Sequence, residues 1–217
     1  ELLALPPTDD LRKTALEAAP ALDFAGVFRK GKRSVIAEIK KASPSAGIIS
    51  EDFDPAATAE AYAAAGVDAV SILTDVDYFK GSPQYLRDCR PILKNIPILR
   101  KDFIIAPEQI YEARALGADS FLLIAAILEK DQLARYLDIG RELGMEALVE
   151  SHTEEELEKS LSAGSRIFGI NSRNLRDFSV DLSIAERLVK LIPERAASVA
   201  ESGIRSKTDA ERVFAAG

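Results

Sequence analysis

The chain has 217 residues, of which 47% are hydrophobic, and its 28 Lys and Arg against 35 Asp and Glu give a formal net charge of −7. This length suits one large α/β domain, and the acidic balance argues against nucleic acid or an anionic membrane surface as a partner. Cys89 is the single cysteine, and no apolar run approaches the roughly 20 residues of a membrane span, so we expect a cytoplasmic protein.

The first 33 residues differ in pattern from the rest of the chain. Thr8 and the two aspartates after it precede an apolar stretch, which predicts a short capped helix that ends near Pro20. We interpret residues 1–33 as a helical N-terminal extension and residues 34–217 as the main domain. Glu1 is not a natural first residue, so we expect the native chain to begin earlier.

A strand is predicted at the start of the main domain, where residues 35–47 read VIAEIKKASPSAG. Its apolar residues predict burial on both faces, yet Glu38 and Lys40 interrupt them. Residues two apart on a strand share one face, so these two charges must pair with each other, contact a ligand, or both. A purely structural ion pair is an equally good interpretation of this stretch alone.

A repeat of a helix-ending glycine followed by an apolar strand organises the rest of the chain. With the first strand at 35–39 it predicts seven strands, the others lying within 64–73, 97–100, 115–124, 142–150, 162–170 and 198–202. Helix starts are predicted between them, at Asp54 with Pro55, at Thr153 with Glu156 and at Ser206 with Asp209. Strands that alternate with helices predict parallel βα units.

An open parallel sheet and a closed (βα)₈ barrel both show this alternation. Polar residues follow the carboxyl ends of most predicted strands, as in a barrel, rather than one switch point. They are Glu38, Lys40, Arg100, Lys101, Asp102, Glu150, Asn171, Arg173, Glu201 and Ser202. We therefore predict a TIM barrel. Residues 215–217 repeat the helix-ending signal, so we expect the eighth βα unit to be missing from this chain.

Closing the sheet would bring these strand ends together. Carboxylates and cations that converge there can donate and accept protons, as general acid–base catalysis requires. The expected cluster has three carboxylates and three cations, which are Glu38, Glu150 and Glu201 with Lys40, Lys101 and Arg173. The Ser202–Gly203 turn ahead of a helix suits a phosphate group. A metal site is not expected, because His152 is the only histidine and is interpreted as part of a helix start.

At this level of detail the chain resembles the indole-3-glycerol phosphate synthase family of tryptophan biosynthesis. The similar segments are AEIKKASPSAG (37–47), DFDP (52–55), SILTD (71–75), LRKDFII (99–105), QIYEARALGAD (109–119), ALVE (147–150), GINSRNL (169–175) and AESGI (200–204). The resemblance implies a (βα)₈ barrel that closes the ring of 1-(2-carboxyphenylamino)-1-deoxyribulose 5-phosphate with loss of CO₂ and water. It implies no cofactor and no metal.

The resemblance also implies roles for single residues. Lys101 corresponds to the acid that protonates the ketone oxygen, and Glu150 and Glu38 correspond to the carboxylates of the later proton transfers. Lys40 corresponds to a lysine near the anionic groups of the substrate. Further polar and binding positions are Asn171, Arg173, Glu201, Ser202, Gly203 and Ser43, and candidates for an apolar slot around the benzoate ring are Pro44, Phe79, Phe103, Leu122 and Leu175.

Two departures from the family pattern stand out. The usual Glu-Val-His is Glu150-Ser151-His152 here, and family members continue past Gly217 and start with a longer helical segment. We therefore expect low activity from these 217 residues. A catalytically silent fragment of the same fold is the alternative, a sugar-phosphate isomerase is a second rival, and other tryptophan-pathway domains in the natural protein are compatible with the resemblance.

Overall fold

The structure of the protein, a computed structural model, describes residues 5–28, 33–174 and 177–217. This part of the chain divides into two compact units. The first contains the described residues before 28 together with 34–122 and 138–146. The second contains 28, 33, 123–137 and the described residues from 147 onward. The boundary expected between an N-terminal extension (residues 1–33) and a main domain (residues 34–217) stays a prediction.

The first unit consists of parallel strands that alternate with helices. Its elements are α1 (Thr8–Glu17), β1 (Ile36–Ile39), β2 (Ala42–Ser43), β3 (Gly47–Ile48), α2 (Pro55–Ala65), β4 (Ala69–Leu73), α3 (Gln84–Cys89), β5 (Ile98–Lys101), α4 (Pro107–Ala115) and the first part of β6 (Ser120–Ile124). Strands β1, β4, β5 and β6 lie side by side in this order, and each pair is parallel. The short strands β2 and β3 form an antiparallel hairpin in the loop after β1.

The second unit continues the same alternation. Its elements are the end of β6, most of α5 (Lys130–Glu142), β7 (Leu148–Ser151), α6 (Glu154–Ser162), β8 (Ile167–Asn171), α7 (Ser183–Leu188), β9 (Ala197–Glu201) and α8 (Lys207–Ala216). Strands β7, β8 and β9 are parallel neighbours in sequence order. The seven strands predicted from the sequence are thus confirmed, and parallel βα units in sequence order have the topology of a TIM barrel.

Most predicted helix ends are confirmed by backbone geometry and hydrogen bonds, but the cap predicted for α1 is wrong, because Pro7 precedes this helix and no side chain caps it. The glycines that end helices have left-handed backbones, with φ between +71° at Gly66 and +93° at Gly117. Asp54 Oδ1 accepts hydrogen bonds from the N–H groups of Ala56 and Ala57, at 2.9 and 3.0 Å. Ser206 Oγ accepts a bond from Asp209 N at 3.1 Å. These signals are local, which is why they could be identified in the sequence.

Each unit has its own apolar core. In the first, Ile39, Ile72 and Ile98 of three neighbouring strands pack on helices α2, α3 and α4. In the second, Phe168 and Ile170 of β8 pack on the helices that follow it in that unit. Cys89 is buried in α3, where burial raises the pKa of its thiol to about 12. Among the described residues, no helix is both long and apolar enough to cross a membrane.

Strand β1 is less buried than its apolar sequence predicts. Only Ile39 of the strand is buried, and Val35 just before it is 55% exposed. The prediction of burial on both faces is therefore wrong. The reason is that β1 is the outermost strand of its unit, with β4 as its neighbour on one edge.

Candidate active site

Glu38 and two lysines form a cluster at the carboxyl ends of β1 and β5. Lys40 Nζ contacts Glu38 Oε1, and Lys101 Nζ lies 3.7 Å from Glu38 Oε2. Each carboxylate oxygen therefore faces one ammonium group. The three side chains keep between 20% and 29% of their surface exposed, so a bound molecule can reach all three. The pairing of Glu38 with Lys40, expected from their spacing, is confirmed.

The protonation state of Glu38 follows from its surroundings. Burial raises the pKa of this carboxyl group, but the charges of Lys101 and Lys40 outweigh burial and hold the pKa below its usual value. Glu38 is therefore a carboxylate at neutral pH. A raised carboxylate pKa, as general acid catalysis by Glu38 would need, is not what this cluster produces. Glu38 is suited to accept a proton and to keep the neighbouring lysines charged.

Two other polar residues at the end of β5 have a structural role. Arg100 and Asp102 form a buried ion pair at 3.0 Å, and the Thr74 hydroxyl donates to the same Asp102 oxygen. Arg100 also donates to Glu112 on α4 at 2.6 Å. These side chains alternate with Lys101 along the strand and point to its helix side. The sequence grouped Arg100 and Asp102 with Lys101 as strand-end residues, but the structure places only Lys101 in the cluster.

Two aromatic rings predicted for the apolar slot lie close to each other. The ring centroids of Phe79 and Phe103 are 6.2 Å apart. Buried side chains hold both loops: Asp75 Oδ1 accepts from Phe79 N at 3.0 Å, and Gln109 Nε2 donates to Phe103 O at 3.0 Å. Asp75 and Gln109 were not predicted as supports for these rings, because neither belongs to a spacing pattern that reveals such a contact.

The remaining candidates for substrate binding in these loops and strands differ in their surroundings. Ser43 and Pro44 belong to the β2–β3 hairpin, where Ser43 Oγ accepts from Ala46 N at 3.2 Å and Pro44 is exposed. Leu122 is 3% exposed within β6. Leu175 lies outside the described residues. The structure therefore brings together Phe79 and Phe103, and the binding roles of all these candidates stay predictions.

A second cluster surrounds Glu150 at the end of β7. His152 Nε2 lies 3.3 Å from Glu150 Oε1, and its Nδ1 lies 3.1 Å from Glu156 Oε2. His152 N also donates to Glu156 Oε2 at 2.7 Å, and Thr153 Oγ1 accepts from Glu156 N at 3.2 Å. The predicted link between His152 and the start of a helix is thus confirmed. The contact with Glu150 was missed, although residues 150 and 152 have the same spacing as Glu38 and Lys40.

The charge of His152 is set by these two carboxylates. Burial alone lowers the pKa of a histidine, but the close contacts with the charged Glu150 and Glu156 outweigh burial and raise the pKa of His152 to about 9. For Glu156 the opposite balance holds, because burial raises its pKa and the bonds from His152 bring it below the usual value. At neutral pH the second cluster therefore contains an imidazolium paired with the Glu156 carboxylate, and Glu150 Oε1 lies 3.3 Å from the other ring nitrogen.

The end of β8 carries Asn171 and Arg173. Asn171 is 7% exposed, and its Oδ1 accepts a hydrogen bond from Arg173 N at 3.0 Å. The Arg173 guanidinium donates to Phe178 O at 3.1 Å. Asn171 therefore has a backbone partner for its side-chain oxygen, and Arg173 has at least one structural contact beside any role in binding.

The end of β9 carries Glu201, Ser202 and Gly203. Glu201 pairs in register with Asn171, so the two side chains belong to neighbouring strand ends. Ser202 and Gly203 have φ of +66° and +79°, and the left-handed backbone is unusual for a serine. This turn precedes α8 by three residues, since Ser206 caps that helix.

The chemical capacity of the two clusters is proton transfer. Lysine ammonium groups and the imidazolium can donate protons, and the ionised carboxylates can accept them. Within the described ranges, no group of three His, Cys, Asp or Glu residues is arranged to hold a metal ion.

Sequence comparison assigns the chain to a family. Residues 2–217 match the model of the family described as indole-3-glycerol phosphate synthase. Proteins of that name are similar in Carboxydothermus hydrogenoformans (51% identity over 87% of this chain and 71% of the relative) and in Chlorobium chlorochromatii (52% over 92% and 78%). The protein of that name in Neisseria meningitidis is 49% identical over 94% of this chain and 79% of the relative.

Solved structures with low sequence identity share the fold. An N-acetylmannosamine-6-phosphate 2-epimerase from Clostridium perfringens has a TM-score of 0.67 at 15% identity, over 89% of this chain and 85% of that one. A structure described as native KDPGal has a TM-score of 0.60 at 19% identity, over 87% and 81%. These structures confirm the predicted α/β fold of TIM-barrel type. Since the family model spans nearly the whole chain and relatives share about half of its residues, the chain belongs to the indole-3-glycerol phosphate synthase family.

Proposed function

We propose that the protein closes the indole ring of 1-(2-carboxyphenylamino)-1-deoxyribulose 5-phosphate and releases indole-3-glycerol phosphate, CO₂ and water. This is the reaction of a carbon–carbon lyase of tryptophan biosynthesis, the chemistry of the family to which the chain belongs. The single observation that carries the proposal is the Lys101–Glu38–Lys40 cluster, which offers charged proton donors around an ionised carboxylate.

Lys101 is the proton donor of the first step in this proposal. The ring carbon that bears the carboxylate attacks the ketone carbon, and the ketone oxygen takes a proton from Lys101 Nζ as the new carbon–carbon bond forms. Glu38 lies 3.7 Å from this nitrogen and favours the charged ammonium form before the step. Loss of CO₂ then returns the electrons of its carbon–carbon bond to the ring.

The carboxylates serve the dehydration that follows. The hydroxyl group leaves as water after it takes a proton, and a proton is lost from the carbon next to the ring nitrogen. Glu150 and Glu38 are the proposed proton carriers for these transfers: a carboxylate accepts the proton lost from carbon and, once protonated, passes it to the leaving hydroxyl group. Asn171, Arg173 and Glu201 are proposed to orient the substrate and the charges that develop on it.

Binding follows the charges and shapes of the substrate. Ser202 and Gly203 are proposed to contact the phosphate and Lys40 an anionic group, while Phe79 and Phe103 provide an apolar wall for the benzoate ring. Ser43, Pro44, Leu122 and Leu175 are further proposed contacts. Members of this family act on a phosphorylated small molecule.

Other expectations from the sequence stay predictions. They are that no cofactor takes part, that neither nucleic acid nor membrane is a partner, that the location is cytoplasmic, and that further tryptophan-pathway domains are compatible with the chain. The alternative of a catalytically silent barrel of the same fold is decided by the assay below.

The proposal is tested by the fluorescence of the indole product formed from the carboxyphenylamino-deoxyribulose phosphate. The Lys101→Ala variant should lower kcat at least about a hundredfold with the fold intact, because the donor of the first step is lost. Lys94→Ala, which removes an exposed lysine outside both clusters, is the matched control and should leave kcat unchanged. Normal turnover by Lys101→Ala would remove this lysine from the mechanism, and absence of product from the unsubstituted protein would favour the silent barrel.

A further inference from the structure

The contacts of His152 extend the second cluster beyond the residues assigned to the reaction. Its ring lies between two carboxylates, 3.3 Å from Glu150 on one side and 3.1 Å from Glu156 on the other. The side chains are 12% exposed for His152, 4% for Glu150 and 19% for Glu156. Glu156 is tied in turn to the backbone, because it accepts a hydrogen bond from His152 N at 2.7 Å.

Helix α6 holds this chain of contacts in place. Thr153 caps the helix through Glu156 N, so the backbone of Glu156 is fixed at the first turn. One turn further on, Lys159 Nζ donates to the carbonyl oxygens of Ala125 and Leu128, at 2.6 and 2.9 Å. The imidazole ring is therefore set in position from the side opposite Glu150.

A buried carboxylate such as Glu150 needs a charged or hydrogen-bonding partner to stay ionised. His152 is such a partner in the second unit. The charged groups that act on His152 are Glu150 from β7 and Glu156 from α6, while Lys159 on α6 acts on Glu156. The two carboxylates favour the charged imidazolium, which then favours the carboxylate form of Glu150.

We propose that His152, fixed by Glu156, is a positioning residue that keeps the Glu150 carboxylate ionised and oriented for its proton transfer. The inference rests on the proposed function, since it assigns His152 a role in the same reaction. A purely structural tie between β7 and α6 is the competing explanation. The two differ in their consequences: a structural tie affects stability, whereas a positioning residue also sets the pH at which Glu150 can accept a proton.

The first test uses the fact that His152 is the only histidine of the chain. Its ring protons can be followed by NMR through a pH titration without any substrate. In the unsubstituted protein we expect a midpoint near pH 9, in line with the raised pKa of His152. Glu150→Gln and Glu156→Gln should each lower this midpoint. A midpoint in Glu150→Gln equal to that of the unsubstituted protein would overturn the inference.

The second test measures the pH dependence of kcat and kcat/KM for His152→Gln. We expect kcat at pH 7 to fall at least about tenfold, and the acidic limb of kcat/KM to move to higher pH, because a buried carboxylate that loses one cationic partner protonates more readily. If His152→Gln does not fold, Glu156→Gln takes its place and should shift the acidic limb in the same direction. An unshifted pH profile in the variant that folds overturns the inference.

The control is Thr153→Ala, which removes the helix cap but leaves all three charged groups. It should lower the melting temperature without a shift of the pH profile, because no charge near Glu150 changes. A shift as large as that of His152→Gln would assign the effect to α6 as a structural element. Failure of the proposed function can be told apart from failure of this inference. The first would appear as absence of indole product from the unsubstituted protein, and the histidine titration would still report on the Glu150 contact.

Discussion

Gly169 leaves the space into which the Glu201 side chain extends. A Cβ atom built on Gly169 of β8 would lie 2.1 Å from Glu201 Oε1 and 3.4 Å from Leu148 Cδ1. The first distance is far too short for a real contact, so any other residue at position 169 would displace the carboxylate. The Glu201 carboxylate can therefore lie where it does only because residue 169 is a glycine.

Substitution of Gly169 by alanine should separate activity from stability. Because the displaced atom is the end of a flexible side chain, we expect little change in melting temperature. The kcat should fall at least about tenfold, since misplaced catalytic groups slow a reaction strongly. Gly144→Ala is the control: φ is +74° there and no described atom lies within 4 Å of its Cβ, so it should cost about 1 kcal/mol of stability and leave kcat unchanged. Equal kcat for Gly169→Ala and the unsubstituted protein would contradict the proposed role of Glu201 in orienting the substrate.

The two clusters differ in how far the sequence predicted them. Glu38 and Lys40 were paired correctly because a strand places residues two apart on one face. His152 has the same relation to Glu150, but its position before Thr153 favoured a role in the helix start, and it has both roles. The protonation of Glu38 was not predictable from the sequence, since it depends on Lys101 of another strand.

Asp119, just before β6, connects several elements of the first unit. Its carboxylate accepts hydrogen bonds from Leu22 N and Ile98 N, each at 2.8 Å, and forms ion pairs with Arg90 at 2.6 Å and Arg114 at 3.6 Å. Arg114 also donates to Ala19 O at 2.6 Å. The segment after α1 is therefore fastened to the starts of β5 and β6 by a single buried carboxylate.

Loss of this charge should destabilise the protein. In Asp119→Asn two arginines lose their buried partner and at least one N–H loses its acceptor, so we expect the free energy of unfolding to fall by about 3 kcal/mol. Asp138→Asn removes an aspartate that is 76% exposed and should change stability by less than about 0.5 kcal/mol. Urea unfolding of the two variants gives the comparison. Equal stability of both would show that the ion pairs of Asp119 contribute no net stabilisation.

At the level of elements, local signals decided what the sequence could predict. Helix-ending glycines and the caps at Asp54 and Ser206 act within a few residues, so the helices and the seven parallel strands were predicted. The β2–β3 hairpin was missed because each of its strands has two residues, too few for a periodic pattern. The burial of β1 was misjudged because burial depends on neighbouring strands and not on the apolar content of the strand itself.

The whole molecule has few groups that change charge between pH 6.5 and 9. It contains one histidine and one cysteine; burial raises the pKa of Cys89 to about 12 in the folded protein, so this thiol contributes only through its titration in the unfolded state, at the upper end of the range. The carboxylates, tyrosines and lysines ordinarily titrate below or above it. The dependence of stability on pH in this window should therefore report mainly on His152.

The sign of that dependence follows from the raised pKa of His152, about 9 in the folded protein against 6.5 in an unfolded chain. Below pH 6.5 both states bind the proton and the ion pairs of His152 contribute fully to stability. As the pH rises toward 9, the unfolded state loses its proton first, so the contribution declines and is lost above the folded pKa. Urea unfolding at pH 6, 7.5 and 9 should show a falling free energy of unfolding. His152→Gln should show a much smaller fall over the same range, and the contributions of Cys89 and of the chain terminus cancel in the comparison. Parallel curves for the two proteins would mean that the Glu150 and Glu156 carboxylates do not hold the proton on His152.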